Sequence, residues 1–280
     1  MTDNSEQRDY WTDAAGPKWL RHQAALDALM QPVLDGVLFR ANLQSGARVL
    51  DIGCGAGNST VQAADAVGPE GHATGADISE TLLGGARNVA QGRDNVDFIL
   101  ADAARHEFAP QSFDNLISRF GVMFFADPEA AFSNMAKALK SGSIVTFAAW
   151  GQIPENPYFT YPAQAARAVL GATPKSDPDA PGPFAFRDPA RVEAILSAAG
   201  LAEIGCDTQT VHLTPQGGIA DFAELCLGIG PASMAITHFE ADAAQIAALR
   251  DMVIDVFAPF DGPEGLRIPA QINFFTATKP

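Results

Sequence analysis

The sequence predicts an α/β fold built on a mostly parallel sheet flanked by helices. Three observations carry that prediction. From about residue 47, short β-branched runs alternate with amphipathic stretches of helical spacing, the pattern of successive β-α-β units. A glycine-rich turn, "DIGCGAG", leads from the first of these runs into the first of these helices. A chain of 280 residues with 47% hydrophobic content can also bury one large core.

Residues 9–43 precede the sheet and read as one or two helices that contain Trp11 and Trp19. "ARVLDIG" is the first strand, and Asn58 is placed to cap the helix "STVQAADAV". "GHATGADIS" is the second strand, after which Ser79 caps "ETLLGGARNVAQ", a helix that stops at Gly92. Gly84 and Gly85 inside it each cost about 1 kcal/mol relative to alanine. "VDFILAD", "FDNLISRF" and "SIVTFAAW" supply three more strands, with the helix "PEAAFSNMAKALK" between the last two. "GQIPENPYFTYP" and "GATPKSDPDAPGPFAFRDP" are rich in proline and glycine and read as lid or loop. "PARVEAILSAAG" is a helix, "EIGCDTQTVHL" a strand, "IADFAELCLGIG" and "ADAAQIAALRDMVIDVFAPF" helices, and "IPAQINFFTATKP" the final strand. The sum is a Rossmann-like seven-stranded sheet, with N-terminal helices before it and a helical lid insertion before the last strand. The expected organisation is a single domain: an N-terminal helical cap over 1–44, a cofactor-binding core over 45–150, and lid segments with the last helix and strands of the same core over 151–280.

A formal net charge of −15 opposes binding to phosphate backbones and to anionic lipid, so nucleic acid is not an expected partner. No apolar run approaches the roughly 20 residues that span a bilayer, and "MTDNSEQRDYWTD" lacks the basic and apolar regions of a signal peptide. A cytoplasmic protein without membrane insertion is expected. Cys54, Cys206 and Cys226 are odd in number and widely spaced, which suits reduced thiols and neither a disulfide framework nor a zinc site. No metal is expected. A small molecule is the expected partner, and a homodimer is left open.

The chemistry concentrates in the glycine turn. Gly53, Gly55 and Gly57 can each adopt a positive φ or admit a ligand close to the backbone. The turn lies between a strand and a helix N-terminus, at the carboxyl edge where open α/β sheets bind ligands. Position 58 is asparagine where the dinucleotide fingerprint has its third glycine, and the Lys-Ser/Thr pair of the phosphate-binding loop is missing. Asp51, two residues before the first glycine, favours a cationic ligand over a pyrophosphate.

Asp51-x-Gly53-x-Gly55 with Gly57 resembles the first motif of the class I S-adenosylmethionine-dependent methyltransferases. Asp77 in "GADIS" and Asp102 in "ADAA" stand at the ends of the second and third strands, where that family has acidic residues. "SRFGVMFFADPEAAF" followed by "ALKSGSIVTFAAW" resembles bacterial small-molecule methyltransferases related to the ubiquinone/menaquinone-biosynthesis type, and so does the opening "YWTDAAGPKWLRHQ". The likeness is strongest over residues 45–150 and weakest over 151–265.

The resemblance implies S-adenosyl-L-methionine as cofactor. It places Asp51 near the methionine amino group and brings the turn residues Gly53, Cys54, Gly55, Gly57 and Asn58 against the amino-acid moiety. It implies that Asp77 takes the ribose hydroxyls, that Ile78 packs on the adenine face, and that Asp102 with Ala103 bounds the adenine edge. Ser118 would contact the methionine part through its backbone, and Phe120 would wall the methyl group. Singly, Asp51 also reads as a turn cap, Asp77 as a strand-end carboxylate and Asp102 as a helix start. Trp11 and Trp19 read either as core anchors or as a lid over the cofactor.

In-line methyl transfer from a sulfonium needs alignment and exclusion of water, and a general base only if the nucleophile must lose a proton. His22, His72, His106, His212 and His238 belong to no metal or relay motif. His22, His238, Tyr158 and Tyr161 fall in segments expected to cover the pocket, and none is assigned as a base. The pocket is expected from the N-terminal helices, the 151–185 loop and the 216–262 insertion. These segments and their borders carry Trp150, Tyr158, Phe159, Tyr161, Phe184, Phe186, Phe222, Met234 and Phe239, which suits a small, largely uncharged or hydrophobic acceptor. Two other classes share parts of this pattern: an NAD(P)-dependent oxidoreductase, and a non-catalytic cofactor-binding module.

Overall fold

Apolar runs that are hydrophobic on both faces become interior strands. β1 (Arg48–Ile52) is buried along all but its first residue, and β5 (Leu139–Trp150) is buried without interruption from Val145 onward. A computed structural model describes residues 4–174 and 177–280. In it, β1, β2 (His72–Asp77), β3 (Val96–Leu100), β4 (Phe113–Arg119), β5, β6 (Ala202–Leu213) and β9 (Ile268–Thr278) form a seven-stranded sheet in the order β3-β2-β1-β4-β5-β9-β6. β9 runs antiparallel to both its neighbours, and the other pairings are parallel. The two-residue strands β7 (Asp261–Gly262) and β8 (Gly265–Leu266) make a separate hairpin.

Helices α5 (Asn58–Val67), α6 (Glu80–Val89), α7 (Pro128–Ala136) and α9 (Pro189–Ala198) cross between the strands. Ser79 caps α6 as the sequence predicts, its hydroxyl accepting from Leu82 N–H at 3.2 Å. Asn58 does not cap α5. The cap residue is Gly57 at φ 90°, and Asn58 is already helical, its side chain accepting from Gln62 Nε2. The sharp turn needs a left-handed residue there, which glycine supplies without strain.

The N-terminal region is more divided than one or two helices. It comprises α1 (Ser5–Asp9), a π-helical turn (Tyr10–Ala14), α2 (Ala15–Arg21), α3 (Gln23–Leu29) and α4 (Gln31–Ala41). Pro32 in the first turn of α4 has no N–H to donate to Ala28 C=O and its ring crowds that carbonyl, which ends α3 and accounts for the break at Met30. α4 lies close to β9, because a Cβ on Gly36 would come within 2.6 Å of the Phe274 ring.

The stretch read as lid or loop from 151 to 162 is instead largely helical. α8 (Pro157–Val169) starts with Pro157 in its first turn and carries Pro162 inside. Pro157 is pre-set for a helix start, and Pro162 lies near enough to that start to sacrifice little of the hydrogen-bond ladder. Residues 175 and 176 of the second proline-rich stretch lie outside the described residues. The insertion between β6 and β9 contains α10 (Ile219–Gly228), α12 (Ala243–Phe257) and between them a helix not anticipated, α11 (Pro231–Phe239). No single helix among the described residues is long and apolar enough to cross a membrane.

Candidate active site

The strand order reverses between β1 and β4, which opens a crevice at the carboxyl end of the sheet. A cavity of about 220 Å³ lies there. Trp11, Trp19, Gly53, Cys54, Gly55, Asn58, Asp77, Ile78, Asp102, Ala103 and Phe120 line it, so eleven of the sequence-selected residues converge on one space. Asp51, Gly57 and Ser118 do not line it, and each has a structural reason.

Asp51 is fully buried beneath the turn, where its Oδ2 accepts from the Ser59 hydroxyl at 2.6 Å and the Thr60 hydroxyl at 2.7 Å. Its Oδ1 is buried with no hydrogen-bond partner among the described residues. Burial pushes its pKa up to about 6, against the opposing pull of those two hydroxyls and of Arg119. A Cβ on Gly57 would meet Ala86 and the Phe98 ring, both at 2.9 Å, so this glycine serves packing against α6 and β3. Ser118 donates its hydroxyl to Ile52 C=O at 2.7 Å and accepts from Gly121 N–H at 3.1 Å, which ties the ends of β1 and β4 together.

The three glycines of the turn therefore differ in purpose. Gly53, at φ 64°, sits so close to Gly121 that a Cβ would lie 2.6 Å from the Gly121 Cα. Gly55, at φ 55°, has nothing within 4 Å of where a Cβ would project. It lines the cavity, so its missing side chain leaves the turn backbone approachable from the ligand side.

Asp77 holds that turn in place. Its Oδ2 accepts from Gly55 N–H at 2.8 Å and its Oδ1 from Ser79 N–H at 2.9 Å. Burial raises its pKa, and these backbone donors work against the rise. Each carboxylate oxygen keeps accepting capacity for a ligand hydroxyl. Asp102 Oδ1 accepts from Ala104 N–H at 3.0 Å and from Asn4 Nδ2 at 2.8 Å. Asn4 in turn accepts from Ala126 N–H at 2.9 Å, so one buried amide fastens the start of the chain across the cavity.

Trp11 and Trp19 pack edge to face with centroids 5.9 Å apart, and Trp11 meets Phe124 at 5.2 Å. Both line the cavity and are only partly buried, and Trp19 also packs against the main core, so the positions are compatible with a lid and with a core anchor. Among the other lining residues Phe120 stacks on Trp150 at 4.4 Å with planes 1° apart, and Trp150 stacks on Tyr158 at 5.9 Å. Phe120 adopts φ 66°, a left-handed conformation costly for a bulky residue and held by its N–H bond to Ala148 C=O.

Of the residues expected around the acceptor, Trp150, Tyr158 and Phe159 line the cavity. Phe186 and Phe222 are fully buried core residues, Tyr161 packs on Phe257 and Phe260, and Phe184 sits against Phe159 outside the lining. Met234 and Phe239 are exposed on α11. His22 and His238 stand outside the lining; His22 faces Gly228, and burial, then the charge of Arg21, lowers its pKa. Tyr158 is the protic residue of that group that reaches the cavity, and burial raises the pKa of its hydroxyl.

Sequence reading missed Asn4, Gln7, Asp27 and Arg119, all of which line the cavity. Arg119, the last residue of β4, donates from Nη2 to Asp27 Oδ1 of α3 at 2.9 Å. Its only signal in the sequence is its position directly after Ser118 at a strand end.

Residues 43–166 match the family model of a methyltransferase domain. The demethylmenaquinone methyltransferases of Staphylococcus epidermidis and Geobacillus stearothermophilus are 32% and 36% identical over 109 and 110 residues, 39% of this chain and 45% and 47% of theirs. The chain thus spans less than half the length of the curated relatives it matches. Phosphoethanolamine N-methyltransferase 2 of Haemonchus contortus, solved with S-adenosyl-L-methionine, superposes with a TM-score of 0.57 at 19% identity, over 100% of this chain and 60% of that one. That likeness is one of fold. Together these make residues 43–166 similar in sequence to a methyltransferase domain and in fold to the class I S-adenosylmethionine-dependent methyltransferases. The sequence likeness is to the demethylmenaquinone methyltransferases over that shared segment.

Proposed function

We propose that the whole chain is an S-adenosyl-L-methionine-dependent methyltransferase acting on a small, largely apolar acceptor. One observation carries this reading: a single cavity at the strand ends is lined both by Gly55, Asp77 and Asp102 and by the Phe120, Trp150 and Tyr158 stack. The residues present fit the cofactor. Gly55 leaves backbone open where a side chain would intrude, Asp77 offers two carboxylate oxygens to vicinal hydroxyls, and Ile78 gives an apolar face beside them. When bound, the cofactor supplies a methyl group activated by a sulfonium leaving group.

The chain's own residues then have three tasks. The Asp77 carboxylate and the Gly53–Gly55 backbone fix orientation. Trp11, Trp19 and Phe124 exclude water from above. Phe120, Trp150 and Tyr158 shape an apolar acceptor space, with the Tyr158 hydroxyl its protic group. Phe120 is held in a strained conformation, which fixes the wall at the point of transfer.

Asp77→Ala is expected to weaken S-adenosylhomocysteine binding by about 1–3 kcal/mol, roughly five- to 150-fold, because it removes a charged acceptor and frees the Gly55 turn. Calorimetric titration of the variant checks this, and an unchanged affinity removes Asp77 from the site. The activity itself is tested by incubating the protein with S-adenosylmethionine and a panel of small apolar acceptors, with S-adenosylhomocysteine release as readout. Release above the acceptor-free control supports methyl transfer. Cofactor binding with no release across the panel favours a binding module, and quenching of NADH fluorescence favours an oxidoreductase.

A further inference from the structure

Tyr158 brings to the cavity a hydroxyl that the protein itself leaves unused. It is the second residue of α8, directly after Pro157, and it lines the cavity while only 8% exposed. Three rings hold its own in place: Trp150 nearly parallel at 5.9 Å, Phe159 edge to face at 4.9 Å, and the buried Phe222 at 6.4 Å. Its Oη makes no hydrogen bond among the described residues, and unlike Arg119 Nη1 and Gln7 Oε1 it is not sealed off from its surroundings. A buried tyrosine hydroxyl ordinarily has a partner, so a rigidly held ring with an open hydroxyl leaves that partner to a ligand. Burial raises the pKa of this hydroxyl, which therefore keeps its proton at neutral pH and donates it to a hydrogen bond.

The ionisable side chains that share the lining are engaged elsewhere. Asp27 and Arg119 pair at 2.9 Å, Asp77 accepts from Gly55 N–H, Asp102 accepts from Asn4, and Cys54 Sγ lies 3.9 Å from Gly55 C=O. The lining residues joined to Tyr158 through ring contacts, Phe120, Trp150 and Phe159, are apolar surfaces. A ligand packed on these rings is favoured by carbon burial, and one oxygen opposite Tyr158 Oη distinguishes it from a plain hydrocarbon.

We propose that Tyr158 is a specificity-determining residue, whose hydroxyl donates a hydrogen bond to an accepting oxygen, a carbonyl or a phenolate, on an otherwise apolar acceptor. This deepens the methyltransferase reading above and rests on it for the identity of the ligand as the methyl acceptor. Because Tyr158 holds its proton, the attacking atom of that acceptor brings its own lone pair or charge.

Calorimetric titration of wild type and Tyr158→Phe, in the presence of S-adenosylhomocysteine, tests this with two probes of matched shape. 2-Acetylnaphthalene carries an oxygen that only accepts, and 2-ethylnaphthalene carries none. Tyr158→Phe keeps the ring and its contacts and removes the oxygen alone. The affinity ratio of the acetyl over the ethyl probe is expected to fall about two- to twelvefold in the variant, the range of one net neutral hydrogen bond. An unchanged ratio, an equal loss for both probes, or no binding of either probe to wild type overturns the proposal. Weaker binding of S-adenosylhomocysteine to Tyr158→Phe overturns the assignment of the hydroxyl to the acceptor. Failure of wild type to bind S-adenosylhomocysteine overturns the methyltransferase reading instead, and the probe ratio still decides whether Tyr158 donates to a ligand oxygen.

Discussion

Gly53→Ala is expected to destabilise the fold by about 2–4 kcal/mol, whereas Gly55→Ala, two residues on, costs only about 1–2 kcal/mol. Both residues have positive φ, 64° and 55°, so both variants carry the conformational penalty of an L side chain in the left-handed region. At Gly53 there is a second cost. The new Cβ would lie 2.6 Å from Gly121 Cα and 3.2 Å from its carbonyl carbon, backbone that cannot rotate aside, and Gly121 is tied to Ser118. At Gly55 nothing lies within 4 Å. Urea denaturation of the two variants checks the difference, and equal losses would mean that the β1–β4 contact does not constrain the turn. The ligand-side effect runs the other way, with Gly55→Ala the variant that loses cofactor affinity relative to its small loss of stability.

Asp51→Asn is expected to change the pH dependence of stability by about 2 kcal/mol between pH 4 and pH 8. Burial raises the folded pKa of Asp51 from an ordinary carboxylate value to about 6. The folded protein therefore binds this proton more tightly than the unfolded chain does. The stabilisation from the proton is fully present below the unfolded pKa near 4 and is lost as pH rises through about 6. Wild type should accordingly lose stability relative to Asp51→Asn on going from pH 4 to pH 8. Asparagine keeps one oxygen to accept from Ser59 and Thr60, so the comparison isolates the charge. Denaturation curves of both proteins at the two pH values give the answer. A difference between them that stays constant with pH would show that Asp51 does not titrate in this range.

What could be read in the sequence was local. Period and turn chemistry placed every strand of the main sheet, and the strand ends carrying Asp77 and Asp102 followed from that order. Direction was harder. Asp51 alternates with Leu50 and Ile52, and only the packing of α5 shows that it turns under the glycine loop onto Ser59 and Thr60. Arg119 and Asn4 were invisible for a different reason. Arg119 meets Asp27 across 92 residues of sequence and Asn4 meets Asp102 across 98, so neither pair leaves a local pattern. α8 was hidden by its prolines, which punctuate a sequence wherever they fall, although Pro157 starts this helix and Pro162 is carried inside it. The lid residues Met234 and Phe239 show the limit of composition: aromatic and apolar content in a covering segment does not say which side chains face the cavity.

On the proposed function, Gly55, Asp77 and Asp102 form one pocket for S-adenosyl-L-methionine. Calorimetric titration of the protein with S-adenosylhomocysteine tests it most directly. Saturable binding at one site per chain, weakened in Asp77→Ala, is expected, and absence of binding up to millimolar ligand would contradict this function.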